Sequence, residues 1–190
     1  MHEPVSTPPT ATGLLTLRPL TEPDLALLVG WVAAAHVSRW WRDPATADAV
    51  RADYLPCIQG SDPTHVLIAE LDGRPLGFAQ WYRWADNTEH AASLGAAMDE
   101  AGFDYLIGDP GDCGIGLGTR LIAAIIDRLR RAWPEVGGVV VDPEEANLAS
   151  RRVLEHNGLD LVRLVQLADP SGSPIGPTAV YRRRFSAPPQ

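Results

Sequence analysis

Gly111 to Leu121 reads G-D-C-G-I-G-L-G-T-R-L, and the interpretation of this stretch decides the fold. Its three alternate glycines, Gly114, Gly116 and Gly118, strip the Cβ atoms from a turn that leads into an apolar run, Leu121 to Leu129, predicted to be helical. The first amides of a helix have no partner within it, so such a turn lets several main-chain N–H groups converge on one external anion. The helix N-terminus adds positive partial charge, which makes phosphate the natural guest without any lysine. A nucleoside triphosphate loop would need G-x-x-x-x-G-K-[ST], but Thr119 and Arg120 follow Gly118 directly and the lysine is missing. A dinucleotide fold would place its glycine turn at the first helix, with an acid about 20 residues further on at a second strand. Glu135 stands near that distance, yet it follows Trp133-Pro134 in a helix-ending loop.

The 190 residues suit a single domain with a full core, predicted over 13–186, with a loose leader over 1–12 and a short tail over 187–190. Acidic side chains outnumber basic ones by 24 to 16, a net charge of −8. That balance argues against nucleic acid or an anionic membrane as partner and favours a cationic small molecule. Two cysteines, Cys57 and Cys113, have no metal-like spacing, so neither a disulfide framework nor a metal site is expected and a reducing cytoplasm fits. Neither an export leader nor a membrane-length apolar run is evident, which predicts a cytoplasmic chain.

In chain order, Leu14 to Leu20 reads as a first strand, followed by a helix entry at Thr21-Glu22-Pro23-Asp24. Leu25, Leu28, Trp31 and Val32 form the buried stripe of that helix. In His36 to Trp41, H-V-S-R-W-W, adjacent tryptophans cannot both face one core, so one indole packs and the other is open to a ligand. A short helix over 45–55 is predicted to end before Pro56. Val66 to Leu71 and Pro75 to Trp84 form a hairpin about Asp72-Gly73. Strand alternation projects Gln80 among apolar neighbours, where its amide needs a partner. Asp86 to Ala101 reads as a polar loop, and Gly102 to Gly108 as a strand that ends before the glycine turn. After the central helix come a strand over Gly138 to Val141, a helix over Asn147 to Asn157 with Gly158 as its cap, and a hairpin of Leu159 to Leu167 and Thr178 to Phe185 turning at Asp169 to Gly172. The order is that of an α/β (α+β) domain with one central sheet.

Several pieces, in this order, resemble the GNAT superfamily of acetyl-coenzyme A dependent acetyltransferases, most nearly the aminoglycoside 6′-N-acetyltransferases. They are L-R-P-L-T-E-P-D-L from Leu17, H-V-S-R-W-W from His36, Y-L-P from Tyr54, G-R-P-L-G-F-A-Q-W-Y from Gly73, G-F-D-Y-L-I-G-D-P from Gly102, C-G-I-G-L-G-T-R-L from Cys113 and D-P-E-E-A-N-L-A-S-R-R-V-L-E-H-N-G-L from Asp142. The resemblance spans Leu17 to Phe185 and implies a central mixed, mostly antiparallel sheet flanked by helices. It also implies that Cys113, Gly114, Ile115, Gly116, Leu117, Gly118 and Thr119 hold the pyrophosphate of acetyl-CoA, that Leu106 and Ile107 run beside the pantetheine arm, and that Asn147 lies near the thiol. Where the family commonly has Gln or Arg, this chain has Cys113, which leaves backbone donors and predicts weaker cofactor affinity.

The family's usual tyrosine acid corresponds to Leu154, which has no proton to give; Ser150 and Tyr181 are the substitutes that the sequence offers. The acceptor amine must lose a proton, and a carboxylate can bind the ammonium and take it. By the same resemblance Asp104 is that carboxylate and Asp142 binds a further ammonium; Trp41, Gln80, Asp99 and Glu100 are additional expected substrate contacts. The implied reaction is acetylation of a cationic small-molecule amine, above all the 6′-amine of an aminoglycoside antibiotic, by a monomer or homodimer. A lysine or hydroxylysine N-acyltransferase of siderophore assembly and a degenerate coenzyme A-binding module are the alternatives, the latter prompted by Leu154 and Cys113.

Overall fold

A computed structural model describes residues 11–167 and 176–186. Most of the predicted leader, the Asp169 to Gly172 turn and the tail from 187 onward lie outside these residues. Seven strands form one sheet in the order β1-β2-β3-β4-β5-β7-β6. They are β1 (Leu15–Pro19), β2 (His65–Leu71), β3 (Arg74–Arg83), β4 (Glu100–Ile107), β5 (Gly138–Val141), β6 (Asp160–Val165) and β7 (Thr178–Arg184). Every neighbouring pair is antiparallel except β4 with β5, where the chain crosses over through a long helix. The helices are α1 (Leu25–Ala33), α2 (Ala35–Ser38), α3 (Ala47–Gln59), α4 (Thr88–Leu94), α5 (Leu117–Ala132) and α6 (Leu148–His156).

Each face of the sheet carries its own core. On one face α5 buries Leu117, Leu121, Ile122, Ile125, Ile126 and Leu129 against Ala79, Trp81 and Phe103, and Leu154 of α6 joins them. On the other, α1 and α3 cover Ile68, Phe78 and Leu106, and α4 sets Ala91 and Leu94 against Trp84, Val140 and Val180.

Two sequence expectations about helices fail here. Pro56 lies inside α3, which runs on to Gln59. Proline forfeits one amide bond, but Val50 and Tyr54 anchor the helix in the core, and Gly60 closes its last turn in the left-handed conformation with its amide on the carbonyls of Cys57 and Pro56. The expected loop of residues 86–101 holds α4 and the first residues of β4. Its apolar stripe is only Ala91 and Leu94, too short to show as a period. The entry to α1 keeps the expected Thr21–Asp24 pairing, with Asp24 Oδ2 accepting from the Thr21 amide at 2.9 Å and from its hydroxyl at 2.6 Å. Arg18 holds the same carboxylate in a two-pronged ion pair, which lowers the Asp24 acid to about 2.

The feature that positions the site is the junction of β4 and β5. Their ladder has two rungs, Glu100↔Gly138 and Ala101↔Val139, and then the strands splay. A side-chain wedge keeps them apart. The Trp84 indole is buried over Gly102, where an added Cβ would lie 2.9 Å from its ring and 2.4 Å from that of Tyr82. Its Nε1 donates to the Val140 carbonyl at 3.3 Å, occupying an acceptor that a further rung would need. Below the wedge, the buried Glu100 carboxylate reaches across Gly138 to Arg182 (3.1 Å) and Arg184 (3.3 Å) on β7, clamping three strands at the closed end.

Candidate active site

Beyond the splay, β4 has one edge without a strand partner. Gly108 donates its amide to Leu76 of β3, so by antiparallel alternation the amides of Phe103, Tyr105 and Ile107 point to the open edge. At the strand's end His36 donates from Nε2 to the Ile107 carbonyl oxygen at 2.9 Å. A cleft of about 740 Å³ lies along the edge, lined by the glycine turn, the first turn of α6, the α2 segment and the residues that follow β5.

At one end of the cleft the turn enters α5 through Gly114 (φ 77°) and Gly116 (φ 86°), both in the left-handed region that side chains disfavour. The first bond within this helix is from Arg120 to the Gly116 carbonyl, at 3.2 Å. The amides of Leu117, Gly118 and Thr119 therefore have no partner in the helix and face its N-terminal end. Gly114, Gly116, Gly118, Thr119 and Cys113 line the cleft, as do Leu106, Ile107 and Asn147. Ile115 and Leu117 do not: Leu117 is fully buried under α5 and Ile115 packs on the same core, so only their main chains are available to a ligand. The Ile115 carbonyl accepts from Ala11, and Arg120 donates to the Ala11 and Gly13 carbonyls, which ties the last residues of the predicted leader across the back of the turn. Asn147 caps α6, accepting from the Ser150 amide at 3.1 Å.

At the other end stand the carboxylates. Asp104 is half-buried on the wall and accepts from Gln80 Nε2 at 2.8 Å, so Gln80 has the partner that its place in the strand demands. Burial lifts the Asp104 carboxyl to about 6, helped by the charge of Asp142, while hydrogen bonds from Gln80 and Tyr82 and the nearby His90 restrain the rise. Asp142 follows β5 and meets His90 Nε2 at 3.0 Å, and this contact raises the imidazole above its ordinary value despite desolvation. Both His90, on α4, and Tyr82 escape sequence reading, His90 because its helix reads as a loop. Glu144 is held by Arg42 at 2.6 Å. Trp40 and Trp41 both border the cleft: Trp41 packs edge-on against Phe78 at 5.9 Å, and Trp40 carries Arg39 on its face.

Three expected residues lie elsewhere, and one of them, Glu100, is spent in the clamp with Arg182 and Arg184 at the closed end of the splay. Asp99 sits five residues before Asp104, about 16 Å along a strand, exposed at the closed end of the splay beside Arg184. Tyr181 is fully buried under α6, where its hydroxyl accepts from Arg151 at 3.0 Å and donates to Glu155 at 2.6 Å. Pointing away from the cleft and fully bonded, it cannot replace an acid there. Ser150 does line the cleft, and its Oγ lies 2.7 Å from the hydroxyl of Tyr105, a residue that strand alternation assigns only to the core. Leu154 is wholly buried. Among the described residues no cluster of side chains suits a metal ion, and no helix is long and apolar enough to cross a membrane.

Comparison with known proteins agrees with this geometry. A family model described as an acetyltransferase (GNAT) domain matches residues 21–167. The aminoglycoside N(6′)-acetyltransferase type 1 of Klebsiella pneumoniae is 33% identical over 158 residues, 77% of this chain and 74% of that protein. The crystal structure of the aminoglycoside acetyltransferase AAC(6′)-Ib with coenzyme A superposes with a TM-score of 0.73 at 29% identity, covering 90% of this chain and 95% of the other. The same enzyme with coenzyme A and kanamycin gives 0.72 at 30% identity over the same shares.

Proposed function

Because this chain belongs to the GNAT acetyltransferase family, we propose that it acetylates aminoglycosides, passing the acetyl group of acetyl-coenzyme A to a primary amine and, by likeness to the N(6′)-acetyltransferases, to the 6′-amine. The residues present fit the cofactor. Three helix amides without an internal partner, behind two left-handed glycines, make a diphosphate cradle. The open edge of β4 offers amides to an extended amide-bearing arm much as a further strand would.

The observation that carries the reading is the place of Asp104, half-buried on the cleft wall across from the glycine turn and fixed by Gln80. With its acid near 6, the carboxyl is ionised at neutral pH and still basic enough to take a proton. It binds the acceptor ammonium, takes one proton to leave the neutral amine and passes it to solvent, then takes the second proton as the amine attacks the thioester carbonyl. Asp142 adds negative charge for another ammonium group of a polycationic sugar.

The test is thiol release from acetyl-coenzyme A with a panel of amines that includes kanamycin, together with the drug tolerance of a host expressing the chain. Turnover with kanamycin-type substrates and raised tolerance are the expected results. If the aminoglycosides stay unmodified while another amine such as N6-hydroxylysine is acetylated, the substrate assignment is wrong.

A further inference from the structure

Acetyl transfer places a developing negative charge on the departing sulfur, and a buried charge without a donor is costly. We propose that the Tyr105 hydroxyl is the hydrogen-bond donor to that sulfur, with Ser150 positioning it. The inference rests on the acetyl-transfer reading above.

Asp104 and Tyr105 are consecutive in β4, so their side chains leave the sheet on opposite faces. The surroundings agree. Asp104 meets Gln80 on the face covered by α1, α3 and α4, whereas Tyr105 packs beside Phe103 in the core under α5 and α6. The glycine turn at the start of α5 is on the Tyr105 side. A thioester anchored at that turn reaches Asp104 only through the gap beside the open edge of β4. The acetyl carbon then meets the amine on the Asp104 side, and the sulfur remains behind it, toward Tyr105 and Ser150.

The two hydroxyls are 2.7 Å apart and both border the cleft. One must donate to the other. With Ser150 as donor, the phenolic proton of Tyr105 is free to point at the sulfur. Leu154 has no polar atom and Tyr181 is bonded on the far side of α6, so neither can serve. Burial pushes the Tyr105 phenol above its ordinary value, with Asp104 adding to the shift, so it stays protonated throughout the working range. It is therefore a fixed donor and not a proton source. The C–N bond forms as the C–S bond breaks, the bonding pair goes to sulfur, and the amine proton goes to Asp104. The thiolate, stabilised by Tyr105, takes its proton from water on release, as befits a thiol with a pKa near ~8.5.

Two measurements on the full-length protein test this. In the first, Tyr105→Phe should lower kcat by roughly 10- to 100-fold, the scale of a lost hydrogen bond to a charged group, with the KM for acetyl-coenzyme A within twofold of wild type. Ser150→Ala should lower kcat less, and the double variant should be no slower than Tyr105→Phe alone. In the second, the protein is labelled with 13C at the tyrosine ring carbon bearing the hydroxyl; it has only four tyrosines. The Tyr105 resonance, identified by its loss in Tyr105→Phe, should move on adding coenzyme A and stay put on adding the desulfo analogue. Retention of at least half of wild-type kcat in Tyr105→Phe, or an equal shift with both ligands, would overturn the assignment. The kinetic test runs on any amine that the wild-type enzyme acetylates and the spectroscopic test needs none, so failure with aminoglycosides leaves both results readable.

Discussion

Asp104 is costly to the fold, and it is the side chain proposed above to take the acceptor's protons. Its acid is raised to about 6, mainly by burial, so the folded state holds a proton that the unfolded chain has already lost between about pH 4 and 6. The sign follows: above about pH 6 its ionisation opposes folding, and below about pH 4 the opposition is gone. Asp104→Asn should therefore melt higher than wild type at pH 7 to 8, by the equivalent of about 1 to 2 kcal/mol once partial solvation is allowed for, with the gain fading as the pH falls toward 4. The same variant should lose ~10² to 10⁴ in kcat/KM, and the wild-type pH profile should show an acid limb near 6. Calorimetric melting and initial rates across pH check both halves. Asp104 and Asp142 were legible because they sit in runs with a recognisable order, G-F-D-Y-L-I-G and D-P-E-E-A-N-L. Tyr105 and His90 were not: an aromatic on an inward strand position looks like core, and a lone histidine in a polar stretch gives no hint of a carboxylate 52 residues away.

Among the elements, α5 was the most legible and α4 the least, for one reason: six buried apolar side chains set a period in α5, whereas two small anchors set none in α4. The start of α5 was harder to see than its body. Leu117 begins the helix four residues before the predicted Leu121, because the glycine turn is already part of the helix entry and not a loop before it. Gly116 is its N-cap at φ 86°. Gly116→Ala should cost about 1 to 2 kcal/mol of stability and, by misaligning the three cradle amides, weaken acetyl-coenzyme A by about tenfold, the equivalent of one lost hydrogen bond. Titration calorimetry reads the affinity and urea unfolding the stability. For α6, Asn147→Ala removes the cap and should cost about 1 kcal/mol, with a fall in kcat as well because Ser150 loses its anchoring turn.

Taken whole, the molecule is two sheet segments, β1 to β4 and β5 to β7, joined by two rungs and the long helix behind them. Sequence order predicted the strands and one central sheet, and the family resemblance its mixed pairing, but no periodicity reports that a ladder stops after two rungs. That stop depends on the Trp84 indole meeting Val140 and on Gly102 leaving it room, contacts between residues far apart in the chain. The clamp below the wedge should matter in proportion: Glu100→Ala takes the carboxylate from the partly buried Arg182, which keeps the Gly95 carbonyl, and should cost about 1 to 2 kcal/mol, read as a lower urea midpoint. Ligand linkage gives a complementary expectation, since coenzyme A at 100 times its Kd should add about 2.7 kcal/mol of stability.

The bare stretch of β4, proposed above to bind the cofactor's arm, is also a liability. Donors and acceptors along a strand edge accept any extended peptide of suitable shape, including one from a partly unfolded copy of the same chain. Coenzyme A laid along that seam would seal it, so stocks concentrated without the cofactor should precipitate sooner on storage than stocks that contain it, and light scattering over days would record the difference.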